Sequence, residues 1–116
     1  MRSASRAARR DGLTVANGGR VQDDRGRLGG AAISGEGARW VDFSGPVGGG
    51  HWAGATVIAA PIGDRAPCWF VADWGVMTVG PFRAQALELE AGQGFTARYT
   101  VIVHDGDAEA AGIDRL

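Results

Sequence analysis

The clearest signal along this chain is alternation near its end. In FTARYTVIVH (95–104), Phe95, Ala97, Tyr99, Val101 and Val103 fall on one face of an extended strand, and Thr96, Arg98, Thr100, Ile102 and His104 on the other. Upstream, AQALELEA (84–91) sets Leu87 and Leu89 against Glu88 and Glu90, the pattern of a half-exposed strand. The intervening GQG (92–94) is a turn, so the two runs predict an antiparallel hairpin whose apolar face packs on other strands.

GATVIAAPI (54–62) is β-branched and continuously apolar, which predicts a central buried strand ending near Pro61. ARWVDF (38–43) predicts a strand with mixed faces. Arg39, Val41 and Phe43 share one face, and Trp40, Asp42 and Ser44 share the other. SGPVGGG (44–50) follows and reads as a turn. CWFVADW (68–74) predicts another aromatic strand, GVMTVGPF (75–82) a strand or connection, and LTVA (13–16) a short strand. The glycine-rich stretch 21–37 reads as loop. At the end the period changes. Asp105 or Asp107 can cap a short helix with Glu109 in its first turn and Arg115 near its close, while Gly112 weakens it. Strands joined by turns predict a mainly β, antiparallel β-sandwich with a short C-terminal helix.

Composition narrows the function classes. A chain of 116 residues fits one small domain: a disordered basic leader over 1–12 and a single β-sandwich-like domain over 13–116. Twelve basic and thirteen acidic residues leave a net charge of −1, which predicts neither nucleic acid nor an anionic membrane as partner. Every basic residue is Arg, so Schiff-base and P-loop chemistry are excluded. The single Cys68 excludes an internal disulfide and lies in an apolar context, as a buried small hydrophobe does. No apolar run approaches the roughly 20 residues of a spanning helix, and the Arg9-Arg10 pair lacks the apolar stretch of a signal, so a cytoplasmic location is expected.

Candidate chemistry is sparse. His51 and His104 are the only histidines, too few for the two-His-one-carboxylate iron site unless both join it, so neither metal nor cofactor is expected. His104 beside Asp105 could form an acid–base pair at the sandwich rim, or simply end a strand before a turn and a helix cap. Trp40, Trp69 and Trp74, with His51 and Asp73, could offer aromatic faces and polar groups to a sugar, although a small sandwich also needs bulky core residues.

Four segments in order, ARWVDFSGPV, the apolar strand ending in Pro61, APCWFVADWGVMTVGPF and FTARYTVIVHDGDAEAAGI, resemble the C-terminal part of the PmoA-like domain family over about residues 30 to 116. That family carries the label methane oxygenase PmoA. The resemblance implies a partial supersandwich-like fold and the last third or so of a longer domain. The chain departs from the family pattern where Ala59-Ala60-Pro61 replaces a D-H-P run and Ala66 replaces a His, while Arg65, Pro67 and Trp69 remain. The resulting expectation is a truncated PmoA-like sandwich without independent catalysis that binds a small carbohydrate. The alternative is a sugar-directed hydrolase or oxidoreductase using His104, Asp105 and Arg65. A partial sandwich also leaves an exposed sheet edge, which predicts self-association.

Overall fold

The computed structural model describes residues 18–62, 66–80, 90–94 and 96–116. In chain order the elements are β1 (Arg20–Asp23), α1 (Gly30–Ile33), β2 (Trp40–Gly48), β3 (His51–Ala59), β4 (Cys68–Ala72), β5 (Val76–Gly80), β6 (Tyr99–Asp105), α2 (Ala108–Ala111) and a 3-10 turn, Ile113–Arg115. The expected leader and the strand at 13–16 lie outside the described residues, as does most of the expected strand at 84–91.

Strands β1, β2, β3 and β6 form one sheet in that order, and β4 pairs with β5 in a second. All the pairings are antiparallel. The fold is therefore mainly β, as the alternation predicts. The two sheets face each other across Val21, Val41, Phe43 and Ala59 from the first and Trp69 and Val71 from the second. Ile33 and Ala38 close that core, and Val57, Met77 and Val79 pack at its margin. Cys68 is buried and free.

The loop-like reading of 21–37 misses two elements. Val21 and Asp23 are buried, so β1 adds a rung beside β2 despite its polar composition. Helix α1 is a single turn that seals the outer edge of β4. The Ser34 hydroxyl accepts from the Val71 amide at 2.8 Å and donates to the Val71 carbonyl at 2.9 Å, and the Gly35 amide donates to the Trp69 carbonyl. Those bonds occupy backbone groups that a bare edge strand would leave open. Gly30 permits the approach, because a Cβ there would sit 2.5 Å from the Val71 carbonyl oxygen.

The turn after β2 is narrower than its glycine-rich sequence predicts. β2 runs on through Pro46, and only Gly49 and Gly50 form the loop, with φ of 63° and 78°. A two-residue hairpin of this hand requires positive φ at both positions. Pro46 is tolerated because β1 ends at its pairing of Arg20 with Ser44, so no rung from β1 reaches the proline. β2 is not an edge. It lies between β1 and β3 and is buried from Trp40 through Gly45.

The opposite face of the four-stranded sheet carries a second apolar cluster. Trp40, Ile58 and Ile102 receive Ala108, Ala111 and Ile113 from the C-terminal helices. Asp107 is the N-cap of α2, its carboxylate accepting from the Ala110 amide at 2.8 Å. Gly112 ends the helix with φ 70°, so the residue expected to weaken the helix instead terminates it. The indole of Trp40 and the guanidinium of Arg39 both donate to Asp114, pinning the tail to the sheet.

One expectation fails in its environment. β6 alternates as predicted, but Tyr99, Val101 and Val103 are 47%, 64% and 80% exposed. The two-stranded sheet covers the first sheet over β1, β2 and β3 and stops short of β6.

Candidate functional site

A buried polar cluster lies on the helix-bearing face, beside Trp40. Asp42 on β2 is 1% exposed, yet its carboxylate has three donors: the Ser44 hydroxyl, the Thr56 hydroxyl and the Nε2 of His104. Ser44 and Thr56 are also fully buried, and the His104 side chain is 7% exposed. A buried carboxylate is tolerable when hydrogen bonds replace its lost hydration.

Strand register builds the cluster. Asp42 pairs with Thr56 across β2 and β3, and Ser44 pairs with Gly54 one rung along. Gly54 pairs in turn with His104 on β6. The lack of a side chain at Gly54 opens the path by which the imidazole crosses β3 to reach Asp42. A Cβ at Gly54 would lie 2.4 Å from the Phe43 carbonyl oxygen and 2.6 Å from Ser44 Oγ. Glycine in a strand interior marks such a close approach.

The other ring nitrogen of His104, Nδ1, lies 3.3 Å from the Asp105 carbonyl oxygen. A carboxylate only accepts, so the Nε2 of His104 is the donor in its bond to Asp42. Catalytic use would need a different order. In a nucleophilic triad the imidazole stands between hydroxyl and carboxylate. Here the carboxylate is the hub, and the Ser44 hydroxyl donates to it and not to the ring. The order of groups is therefore not that of a Ser–His–Asp triad.

The described residues singled out in sequence stand at separate places in the fold. His104 bonds Asp42, while Asp105 enters the cluster only through its backbone carbonyl. Arg65 lies outside the described residues. Trp40 is 4% exposed beneath the C-terminal helices. Trp69 is 1% exposed in the core between the sheets, its indole donating to the Ala38 carbonyl at 2.8 Å. Asp73 accepts from the Gly30 amide at 2.6 Å, which ties β4 to α1. Trp74 is 71% exposed in the β4–β5 turn, and His51 is exposed at the start of β3. Among the described residues no three His, Cys, Asp or Glu side chains are placed to hold a metal. No helix among them is long and apolar enough to cross a membrane.

Sequence reading misses a cavity of about 260 Å³ between the turn after β1 and the C-terminal helices. Trp40 and Ile113 line it with Gln22, Asp24, Glu109 and Arg115. One carboxylate oxygen of Asp24 is buried without a hydrogen-bond partner. Asp24 and Glu109 stand 85 positions apart in a polar loop and a terminal helix, so local pattern gives no reason to join them.

No curated protein and no solved structure matches the chain. A family model described as a family of unknown function, DUF6807, matches residues 3–116. Nothing in that match ties the chain to PmoA. With the match running over almost the whole length, the chain belongs to DUF6807, a family of unknown function.

Proposed function

We propose that the chain is a PmoA-like β-sandwich unit that binds a small carbohydrate-like ligand and does not itself catalyse a reaction. The cavity beside Trp40 carries this reading. At about 260 Å³ it falls just below the roughly 300–1,000 Å³ of drug-sized sites, a size suited to a single sugar ring. Its lining combines apolar surface from Trp40 and Ile113 with the amide of Gln22, the carboxylates of Asp23, Asp24, Glu109 and Asp114, and one guanidinium. A polyhydroxylated ring presents the same mixture, with apolar C–H faces and a rim of donors and acceptors. The Asp42–His104 cluster supports the non-catalytic part, because its hydroxyl, carboxylate and imidazole groups are engaged with one another. The PmoA-like assignment rests on the sequence resemblance.

The test is a titration with a panel of mono- and oligosaccharides, followed by the indole N–H resonances. The expected result is a shift of the Trp40 resonance, assigned with Trp40→Phe, while Trp69 stays fixed. Asp24→Ala and Gln22→Ala should weaken binding at least tenfold with unchanged circular dichroism. No movement of the Trp40 resonance across the panel overturns carbohydrate binding, and turnover of any panel member overturns the non-catalytic reading.

A further inference from the structure

We infer that the C-terminal segment 107–116 is a hinged clasp, which turns about Gly106 as one unit and closes the cavity beside Trp40 when it docks. The pairing of the sheet stops at this point. The last rung sets Asp105 beside Ala53, and the Gly106 amide donates to the Trp52 carbonyl at 2.7 Å. Beyond Gly106, every described backbone-to-backbone hydrogen bond lies inside the segment: Ala111 to Asp107, Gly112 to Glu109, Arg115 to Gly112 and Leu116 to Ile113. A segment bonded in this way can leave the sheet as a unit without breaking any of them. Gly106 has φ 73°, a left-handed conformation, and glycine passes readily between positive and negative φ.

Side-chain contacts alone hold the segment down. Asp114 is the latch: its carboxylate accepts from the Arg39 guanidinium at 2.9 Å and from the Trp40 indole at 3.1 Å. Asp107 pairs with Arg20 at the hinge end. Both ion pairs are open to solvent, where such pairs add little. Between them Ala108 and Ile113 rest on Trp40, a smaller apolar cluster than the core between the sheets.

The cavity has one wall on each body. Gln22, Asp24 and Trp40 belong to the sheet and its first turn, and Glu109, Ile113 and Arg115 to the clasp. When the clasp swings out, the cavity loses a wall and Trp40 loses its cover. A ligand seated between the walls binds only the docked form, so binding and docking favour each other. That coupling rests on the carbohydrate reading; the hinge does not.

Native-state hydrogen exchange of the full chain, read residue by residue, tests this. The amides of Ala110, Ala111, Gly112 and Arg115 should share one protection factor, at least about tenfold below those of Thr56 and Val57 in the central strand β3. The Trp40 indole N–H, bonded to Asp114, should exchange with the clasp, and the Trp69 indole N–H with β3. Asp114→Ala should lower clasp protection about tenfold and leave β3 unchanged. Arg39→Gln, a second variant that keeps the indole bond, should move it in the same direction. Equal protection of clasp and β3, or clasp amides that ignore both substitutions, overturns the proposal. Glucose and N-acetylglucosamine are the ligand probes. One that moves the Trp40 resonance should, at about 100 times its dissociation constant, raise clasp protection about a hundredfold. A moved resonance with no gain in protection also overturns the clasp. If neither sugar moves that resonance, the carbohydrate reading falls, and exchange of the free chain still decides the clasp.

Discussion

Asp42 and Asp23 are the two most heavily bonded buried carboxylates described, each accepting three hydrogen bonds, and those of Asp42 all come from side chains. Its carboxylate receives two hydroxyls and an imidazole in a site closed to water. Removing it strands three donors at once, and each buried donor left unsatisfied costs about 1–3 kcal/mol, so the three together should cost about 3 kcal/mol or more. Asp42→Ala is therefore expected to lower the unfolding free energy by about that amount in urea denaturation. Against a typical total of about 5–15 kcal/mol this is a large fraction. Ser44→Ala removes only one of the three donors and should cost nearer 1 kcal/mol. If the two substitutions prove equally mild, the hub role of Asp42 is wrong. Gly54 answers to the same geometry from the other side. Gly54→Ala drives a methyl group into the Phe43 carbonyl and Ser44, so a loss of about 1–3 kcal/mol is expected in the same measurement.

At the scale of elements, the C-terminal helix is short enough that its ends decide whether it forms. Four residues of α2 cannot hold a helix by propensity, since isolated helices need about 12–15 residues. Asp107 compensates by capping Ala110 and pairing with Arg20 at 3.1 Å, and the guanidinium of Arg20 also lies 5.8 Å from the Trp52 ring centroid. Asp107→Ala should cost about 1 kcal/mol, with Asp107→Asn retaining most of the cap; thermal melts of the pair separate cap from charge. The exposed ion pair should add little beyond that. Gly112→Ala places a side chain at φ 70° against the Arg115 guanidinium and should destabilise by about 1 kcal/mol or more. Equal melting temperatures for the Gly112→Ala and unaltered chains would show that the helix end does not anchor the tail.

Over the whole molecule, stability rests on two sheets that share one core and a tail that covers the other face. Trp69 is the largest fully buried side chain and touches both requirements of that core, volume and a satisfied indole N–H. Trp69→Ala should cost about 3–5 kcal/mol, measured as a shift of the denaturation midpoint with the sheet signal retained below it. Trp69→Phe should cost less, because it keeps most of the volume and loses the bond to the Ala38 carbonyl. Trp74, exposed in its turn, should tolerate either change within about 0.5 kcal/mol.

The sequence by itself determined which segments are extended. Alternation marked β6, continuous β-branched residues marked β3, aromatic runs marked β2 and β4, and the Asp-Gly-Asp turn announced the helix. Those signals are local, because a strand's two faces and a helix's cap are written within a few neighbouring positions. What only the tertiary structure decided is which strands stand side by side. β1 was unreadable because its burial comes from β2 and from the opposing sheet, not from its own residues. Asp42 and His104 stand 62 positions apart, and only the register through Gly54 brings them together. The same holds for the cavity between Asp24 and Glu109. The exposed face of β6 carries the apolar pattern of a packed strand, but alternation records which residues share a side and not what covers that side. Coverage depends on where the second sheet ends, a property of the assembled chain.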